Sequence, residues 1–322
     1  MSNPSASPKV SVGLPVYNGE RYLAESIESS LAQSFTDFEL IISDNGSTDG
    51  TQRICAHYAA TDPRVRVLRV ETNQGAAWNY NRVFEAARGL YFRWAPSDDK
   101  FHSESLAECV ATLDSHPDVV LCYPQTVLID EVGGVIGRYE DDLDLRSTDV
   151  TQRFYDAIRR NRLVSAMYGL MRADAMRGTA VFAGFPGADV TFLAELVLHG
   201  RFWEIPRPLF YRRMHGAAST GLTTMEGVQE WFDPKKKGTL FLYLWTHLCS
   251  HAAGIWRSPQ SLATKMALYG VLLRWMIGSR DQFINELFDA AKRLLHPQGP
   301  TTIQQGNIAS KSAKRPHRGE SN

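Results

Sequence analysis

The sequence predicts an α/β fold: a mainly parallel central sheet flanked by helices, with a C-terminal helical extension. Two observations carry this. The first hundred residues alternate strand-length apolar runs with helix-period segments, the pattern of βαβ units. Beyond Gly221 the pattern is helical through about Leu295.

Taken in order, Val10–Pro15 is a short apolar run closed by proline, and Leu23, Ile27, Leu31 and Phe35 then recur on one helical face behind Asn18, a candidate N-cap. Phe38–Ile42 is the second strand, Asn45–Gly50 breaks it, and Thr51–Ala60 reads as a helix. Val65–Leu68 is the third strand. A helix after Asn73-Gln74-Gly75 runs through Ala87, and Leu90–Ala95 is the fourth strand. Right-handed crossovers place all four strand C-termini on one edge, where open α/β sheets bind ligands. The segments at that edge, 15–19, 44–49, 69–75 and 96–99, are the polar loops. Further on come a helix at 102–115, a strand at 119–123, a hairpin of 125–130 with 135–139, a helix at 148–159 and a strand at 166–172. A helix at 189–199 and short strands at 202–205 and 209–213 complete the part before Gly221.

Composition narrows the function. The 322 residues carry 35 Lys plus Arg against 35 Asp plus Glu, so nothing in the charge argues for a nucleic-acid partner, and any anion site is local. Cys55, Cys109, Cys122 and Cys249 form no C-x-x-C pair. They suggest neither a zinc site nor a disulfide scaffold and fit a reducing cytoplasm. The short polar N-terminus is not a signal peptide. The apolar stretches at 239–256 and 266–277 are interrupted by His247, His251 and Arg274, so they are expected as packed or interfacial helices rather than spans. If the chain touches the inner face of a membrane or a partner subunit, 239–277 is where it does so. The polar tail 296–322 is expected to be disordered.

Two strand-end positions carry chemistry. A carboxylate at Asp44 is placed to accept an imide N–H from a nucleobase, which favours uridine, thymidine or guanosine; capping of the next helix is the competing reading. Asp98-Asp99 follows the fourth strand. Hard carboxylate oxygens there suit Mg or Mn bound to a diphosphate, whose own oxygens complete the shell. Capping of the following helix is again the alternative.

Four ordered segments resemble those of family 2 glycosyltransferases: Val10 to Gly19, Asp44 to Thr51, Asn73-Gln74-Gly75 with Asn81 and Gly89-Leu90-Tyr91, and Ser97-Asp98-Asp99. The resemblance covers roughly 8–220. It implies a GT-A fold at 8–220, with a nucleotide-binding half at 8–100 and an acceptor half at 101–220, followed by the extension at 221–295. It also implies an inverting transfer from a nucleotide-diphosphate sugar to a hydroxyl of a carbohydrate or lipid-linked acceptor, in polysaccharide, glycoconjugate or glycolipid synthesis. Carried over by position, Pro15, Tyr17, Asn18, Asp44, Asn73 and Ser97 line the donor pocket. Asp98 holds the metal, with Asp99 as an additional candidate, and Asp189 is the base. The segment from Tyr211 to His215 closes over the diphosphate, with Arg213 on the donor and His215 on metal or phosphate. Two departures stand out. Pro96 replaces the usual first Asp of the metal motif, and Ala188 replaces the Glu before the base. They keep a non-catalytic carbohydrate-binding protein open as an alternative. A sugar nucleotidyltransferase fits less well, because the first loop, Pro-Val-Tyr-Asn-Gly, lacks a basic cluster.

Overall fold

A computed structural model describes residues 7–139, 141–160, 164–216, 222 and 224–295. The tail expected at 296–322 and the Gly221 boundary lie outside the described residues.

The strands are β1 (Val10–Val16), β2 (Phe38–Asn45), β3 (Val65–Val70), β4 (Tyr91–Trp94), β5 (Lys100–Phe101), β6 (Val119–Ile129), β7 (Val135–Tyr139), β8 (Leu170–Arg172) and β9 (Arg201–Arg213). They form one sheet in the order β3-β2-β1-β4-β8-β6-β9-β5, with β7 on β6. The half up to β4 is parallel throughout, β1 pairing β2 and β4, and β2 pairing β3. All residues of β1 and β2 are buried, which is why both read as near-continuous apolar runs. Gly13 is required inside β1: a Cβ there would lie 2.7 Å from both Phe92 and Val83.

Beyond β4 the sheet is mixed rather than mainly parallel. β8 is antiparallel to β4 and β6, β5 to β9 and β7 to β6, while β6 and β9 run parallel. The GT-A-like α/β architecture expected from the sequence holds, with this curled mixed half added.

Several boundaries move. The expected strand and hairpin arm at 119–130 are one strand, β6. The two short strands after 201 are one, β9, whose register with β6 shifts around Pro124 and Gln125, opposite the Pro206–Pro208 stretch. Helix formation after β4 is delayed, because Lys100-Phe101 pairs with β9 before α4 (Ser105–Ser115) begins. The strand expected over 166–172 is a 3₁₀ turn, Ser165–Tyr168, followed by the three-residue β8. Asn18 does not cap α1 (Leu23–Leu31). It takes a left-handed φ of 51° and turns its amide to the loop after β2, while Tyr22 precedes the helix without a side-chain cap.

The other helices are α2 (Thr51–Thr61), α3 (Ala76–Glu85), α5 (Val150–Arg159), α6 (Ala173–Arg177) and α7 (Ala188–Leu196). The extension supplies α8 (Met225–Phe232), α9 (Tyr243–Arg257), α10 (Leu262–Gly278) and α11 (Arg280–Leu295). Ile255, Leu268, Val271 and Leu272 of this extension share one buried cluster with Phe154, Phe192 and Trp94. Among the described residues no helix is long and apolar enough to cross a membrane.

Tyr91, Phe92 and Trp94 are core rather than sugar platforms. Trp94 meets Phe92 and Phe192 edge-on, at 5.2 and 5.3 Å, and donates its indole N–H to the Tyr80 carbonyl at 3.0 Å. Trp94→Ala is expected to cost about 3–5 kcal/mol of unfolding free energy in a urea titration.

Candidate active site

The first two strand-end loops are stitched to each other. The Asn18 N–H donates to Ser47 Oγ (2.8 Å), Asn18 Oδ1 accepts from the Thr48 N–H (2.9 Å), and the Gly19 N–H donates to Thr51 Oγ1 (2.9 Å). The second and third loops are joined through Asn45, whose Nδ2 donates to Asn73 Oδ1 (2.9 Å) and whose Oδ1 accepts from the Gln74 N–H (3.0 Å). These polar side chains fix each other because each loop leaves backbone groups that no strand pairs.

A cavity of about 660 Å³ opens over that edge. Of the residues singled out from the sequence, Pro15, Tyr17, Asn18, Asn73, Ser97, Asp98, Asp99, Arg213 and His215 border it; Asp44 and Asp189 do not. Asp44 is the last-but-one residue of β2, fully buried and opposite Arg69 in the β2–β3 register. One carboxylate oxygen accepts the Ser47 N–H at 2.9 Å and the other is ion-paired to Arg69. Arg69 thus occupies the carboxylate edge that a nucleobase would use.

Asp98 points a partly exposed carboxylate into the cavity, with Oδ2 2.9 Å from His215 Nε2. The His215 side chain is only 7% exposed, and its buried Nδ1 has no hydrogen-bond partner among the described residues. A hard carboxylate beside an imidazole is a ligand pair suited to Mg or Mn. Among the described residues no three His, Cys, Asp or Glu side chains gather at one point, so the protein offers part of a shell. Pro96, standing where the family usually has an acid, contributes its carbonyl to the Ser26 hydroxyl at 2.7 Å and so ties α1 to this loop.

The strand β9 delivers the cations. The Arg213 N–H donates to Asp99 Oδ1 at 2.7 Å. Its guanidinium is spent on the protein: Nε on the Asp98 carbonyl (2.9 Å), Nη1 on the carbonyls of Asp130 and Glu131 (3.2 and 3.1 Å), and Nη2 on Glu25. This gives Arg213 the task of shaping the Asp98-Asp99 loop, in place of the phosphate contact expected from the sequence. Arg212 borders the cavity and donates to Ser165 Oγ at 3.1 Å. Its charge acts on Asp98, Asp99, Asp141 and Asp189. Burial, and then the Asp98 charge, push the Asp99 carboxyl well above its ordinary range.

Asp189 lies in the first turn of α7, where Oδ1 accepts the Val190 N–H at 2.9 Å. Burial raises its pKa, against the Val190 N–H and the Arg212 charge, which lower it. That is the direction a carboxylate base requires. The loop before α7 is held by Asn81, which donates to and accepts from the Phe182 backbone at 2.8 and 3.0 Å.

Among the cavity residues that sequence reasoning did not single out are Asn79, Tyr80, Tyr168 and Trp231. Asn79 is buried, with Nδ2 on the Val16 and Ser43 carbonyls and Oδ1 without a partner. Its signal was there: it stands four residues before buried Val83, a polar residue on the apolar face of α3. Trp231 carried no signal, since only the packing of α8 brings it over the cavity.

Residues 11–172 match the model of the family described as glycosyl transferase family 2. EpsE of Bacillus subtilis (strain 168), provisionally named a glycosyltransferase, is 39% identical over 130 residues, 40% of this chain and 47% of EpsE. The chain spans less than half the length of the curated relatives it first matches. S. aureus TarS 1-349 in complex with UDP-GlcNAc superposes with a TM-score of 0.59 at 21% identity, covering 88% of this chain and 80% of that one. The mannosyltransferase PcManGT from Pyrobaculum calidifontis, in complex with GDP-Man and Mn2+, gives 0.51 at 17%, covering 93% and 90%. At these identities the two structures bear on the fold.

Two measurements test the electrostatics. Arg213→Ala should cost about 2–3 kcal/mol in chemical denaturation, below the fully buried case because Glu25 is half exposed. Burial raises the Asp141 carboxyl to about 7, with Arg212 opposing. The folded protein therefore holds a proton that the unfolded chain has lost, so stability falls as pH rises from the ordinary carboxylate range to about 7. Asp141→Asn should flatten that part of a Tm-against-pH curve.

Proposed function

The chain belongs to glycosyl transferase family 2, and we propose that it is an inverting enzyme moving a sugar from a nucleoside-diphosphate donor to an acceptor hydroxyl. The observation that carries this reading is the Asp98–His215 contact in a cavity whose Arg212 also acts on Asp189. A uridine, thymidine or guanosine donor is favoured. The solved structures of similar fold hold UDP-GlcNAc and GDP-Man, and Asp44 can present an acceptor edge to an imide if Arg69 turns away. Pro15, Tyr17, Asn18, Asn73 and Ser97 form the walls of the donor site.

Asp98 and His215 hold Mg or Mn, with Asp99 behind them; the Mn2+ in PcManGT supports a divalent ion here. When bound, the ion supplies positive charge to the leaving diphosphate. The chain's own residues do the rest. The acceptor oxygen attacks the anomeric carbon as the bond to the diphosphate oxygen breaks, the electron pair leaving with the diphosphate. Asp189 takes the hydroxyl proton. Arg212 adds a fixed positive charge between the two events. A single displacement of this kind inverts the anomeric centre. The acceptor is a carbohydrate or a lipid-linked sugar, and the product a polysaccharide, glycoconjugate or glycolipid.

Asp98→Ala is expected to abolish transfer while circular dichroism stays native. Full turnover in that variant with added Mg or Mn would remove Asp98 from its role. Asp189→Asn should lower kcat by about 10²-fold or more with the donor KM little changed; a rise in donor KM at constant kcat would move Asp189 to the pocket wall.

A further inference from the structure

The turn that presents Asp189 is gripped by a helix outside the family match. Gly187, just before α7, has a left-handed φ of 82°, and a Cβ there would lie 2.5 Å from His247 Nε2 and 2.9 Å from the Tyr243 hydroxyl. Both residues belong to α9. His247 Nε2 stands 3.1 Å from the Pro186 carbonyl, which makes that nitrogen the protonated, donating one. The ring is buried and lies against Tyr243 at 4.0 Å with the planes tilted by 33°, with Phe185 at 5.9 Å and the buried His251 edge-on at 6.1 Å. Burial lowers the His247 pKa, so the ring is a neutral donor at neutral pH.

The same helix grips the far end of α7. Buried Glu195 takes a two-pronged bond from Arg257, at 2.9 and 3.0 Å, and Gly254 lets the helices close there: a Cβ would be 3.1 Å from the Glu195 side chain. Positions 187 and 195 thus meet 247 and 254–257, so α9 runs alongside α7 in the same direction. The start of α9 is fixed in turn by Glu286 of α11, whose carboxylate accepts the Leu244 and Trp245 N–H groups at 3.1 and 3.4 Å.

We propose that His247 and Tyr243 are positioning residues for the base: through the Pro186 carbonyl and the Gly187 turn, α9 sets where the Asp189 carboxylate meets the acceptor hydroxyl. Hydrophobic packing alone would be served by leucine at 247. The placement of a buried donor on the carbonyl that precedes the left-handed glycine is what assigns the task. The C-terminal extension is then a working part of the acceptor site. The inference rests on Asp189 being the base.

The test uses the full chain and four variants. His247→Phe keeps the ring and removes the donor; His247→Gln keeps an N–H donor. His247→Phe is expected to lower kcat about 10-fold at unchanged donor KM, and His247→Gln to restore most of it. The groups acting on Asp189 are Arg212 of β9, the Val190 N–H of its own helix and Tyr243 of α9, whose phenol is pushed up to about 12 by burial and then by the Asp189 charge. With these unchanged, a displaced Asp189 carboxylate in His247→Phe should shift the acid limb of the kcat–pH profile away from its wild-type position. A lowered Tm with kcat and the acid limb both at wild-type values overturns the proposal. Should His247→Phe not fold, Gly187→Ala drives a methyl into the same contact and is judged by the same criteria. Asp189→Asn separates the two ideas. If it retains full turnover, the base assignment itself has failed. If it is inactive while His247→Phe is fully active, only the positioning role has.

Discussion

The site depends on one junction: the backbone N–H of Arg213 on the carboxylate of Asp99, 2.7 Å apart and buried. It joins the loop leaving β4 to the end of β9, two segments more than a hundred residues apart. With that junction made, the Arg213 side chain wraps the same loop through the Asp98 carbonyl, and His215 two residues on reaches the Asp98 carboxylate. Arg212, on the other face of the strand, is turned toward Ser165 and the acids around the cavity. One strand end thus supplies an organising cation, a cavity-facing cation and an imidazole, because alternate residues of a strand point to opposite faces.

The parallel pairing of β6 with β9 makes this geometry available. It carries the chain across the sheet so that the last residues of β9 arrive beside the C-terminal edge of the parallel half. The parallel half then provides loops that hold each other through Asn18, Asn45 and Asn73, and the second half provides charge. Burial raises the carboxyls of Asp99 and Asp189 while the Arg212 guanidinium restrains them.

The parallel half was legible in the sequence because β1, β2 and β4 are buried on both faces and read as apolar runs bounded by turn residues. The loops bordering the cavity were legible for the same reason: polar residues at strand ends have few other places to go. The second half was harder. The strand β9 contains Pro206 and Pro208, which read as interruptions, yet the register shift opposite them lets the strand continue. The left-handed φ of Asn18 and the ion pair between Asp44 and Arg69 depend on neighbouring strands and have no local signature. Trp231, Tyr243 and His247 reach the site by helix packing, which no short motif encodes. Asp98, Asp189 and His215 were singled out through resemblance and position; Asp98 and His215 meet at the cavity, and the charge of Arg212 acts on both Asp98 and Asp189.

The central claim is that Asp98 and His215 complete a divalent-ion site only together with a diphosphate. Titration of Mn(II) followed by electron paramagnetic resonance, with and without a saturating nucleoside diphosphate, tests it most directly. The account predicts weak uptake of the ion by the protein alone, one tightly held ion once the nucleotide is present, and loss of that ion in His215→Ala. Tight binding without nucleotide, or an unchanged signal in His215→Ala, would contradict it.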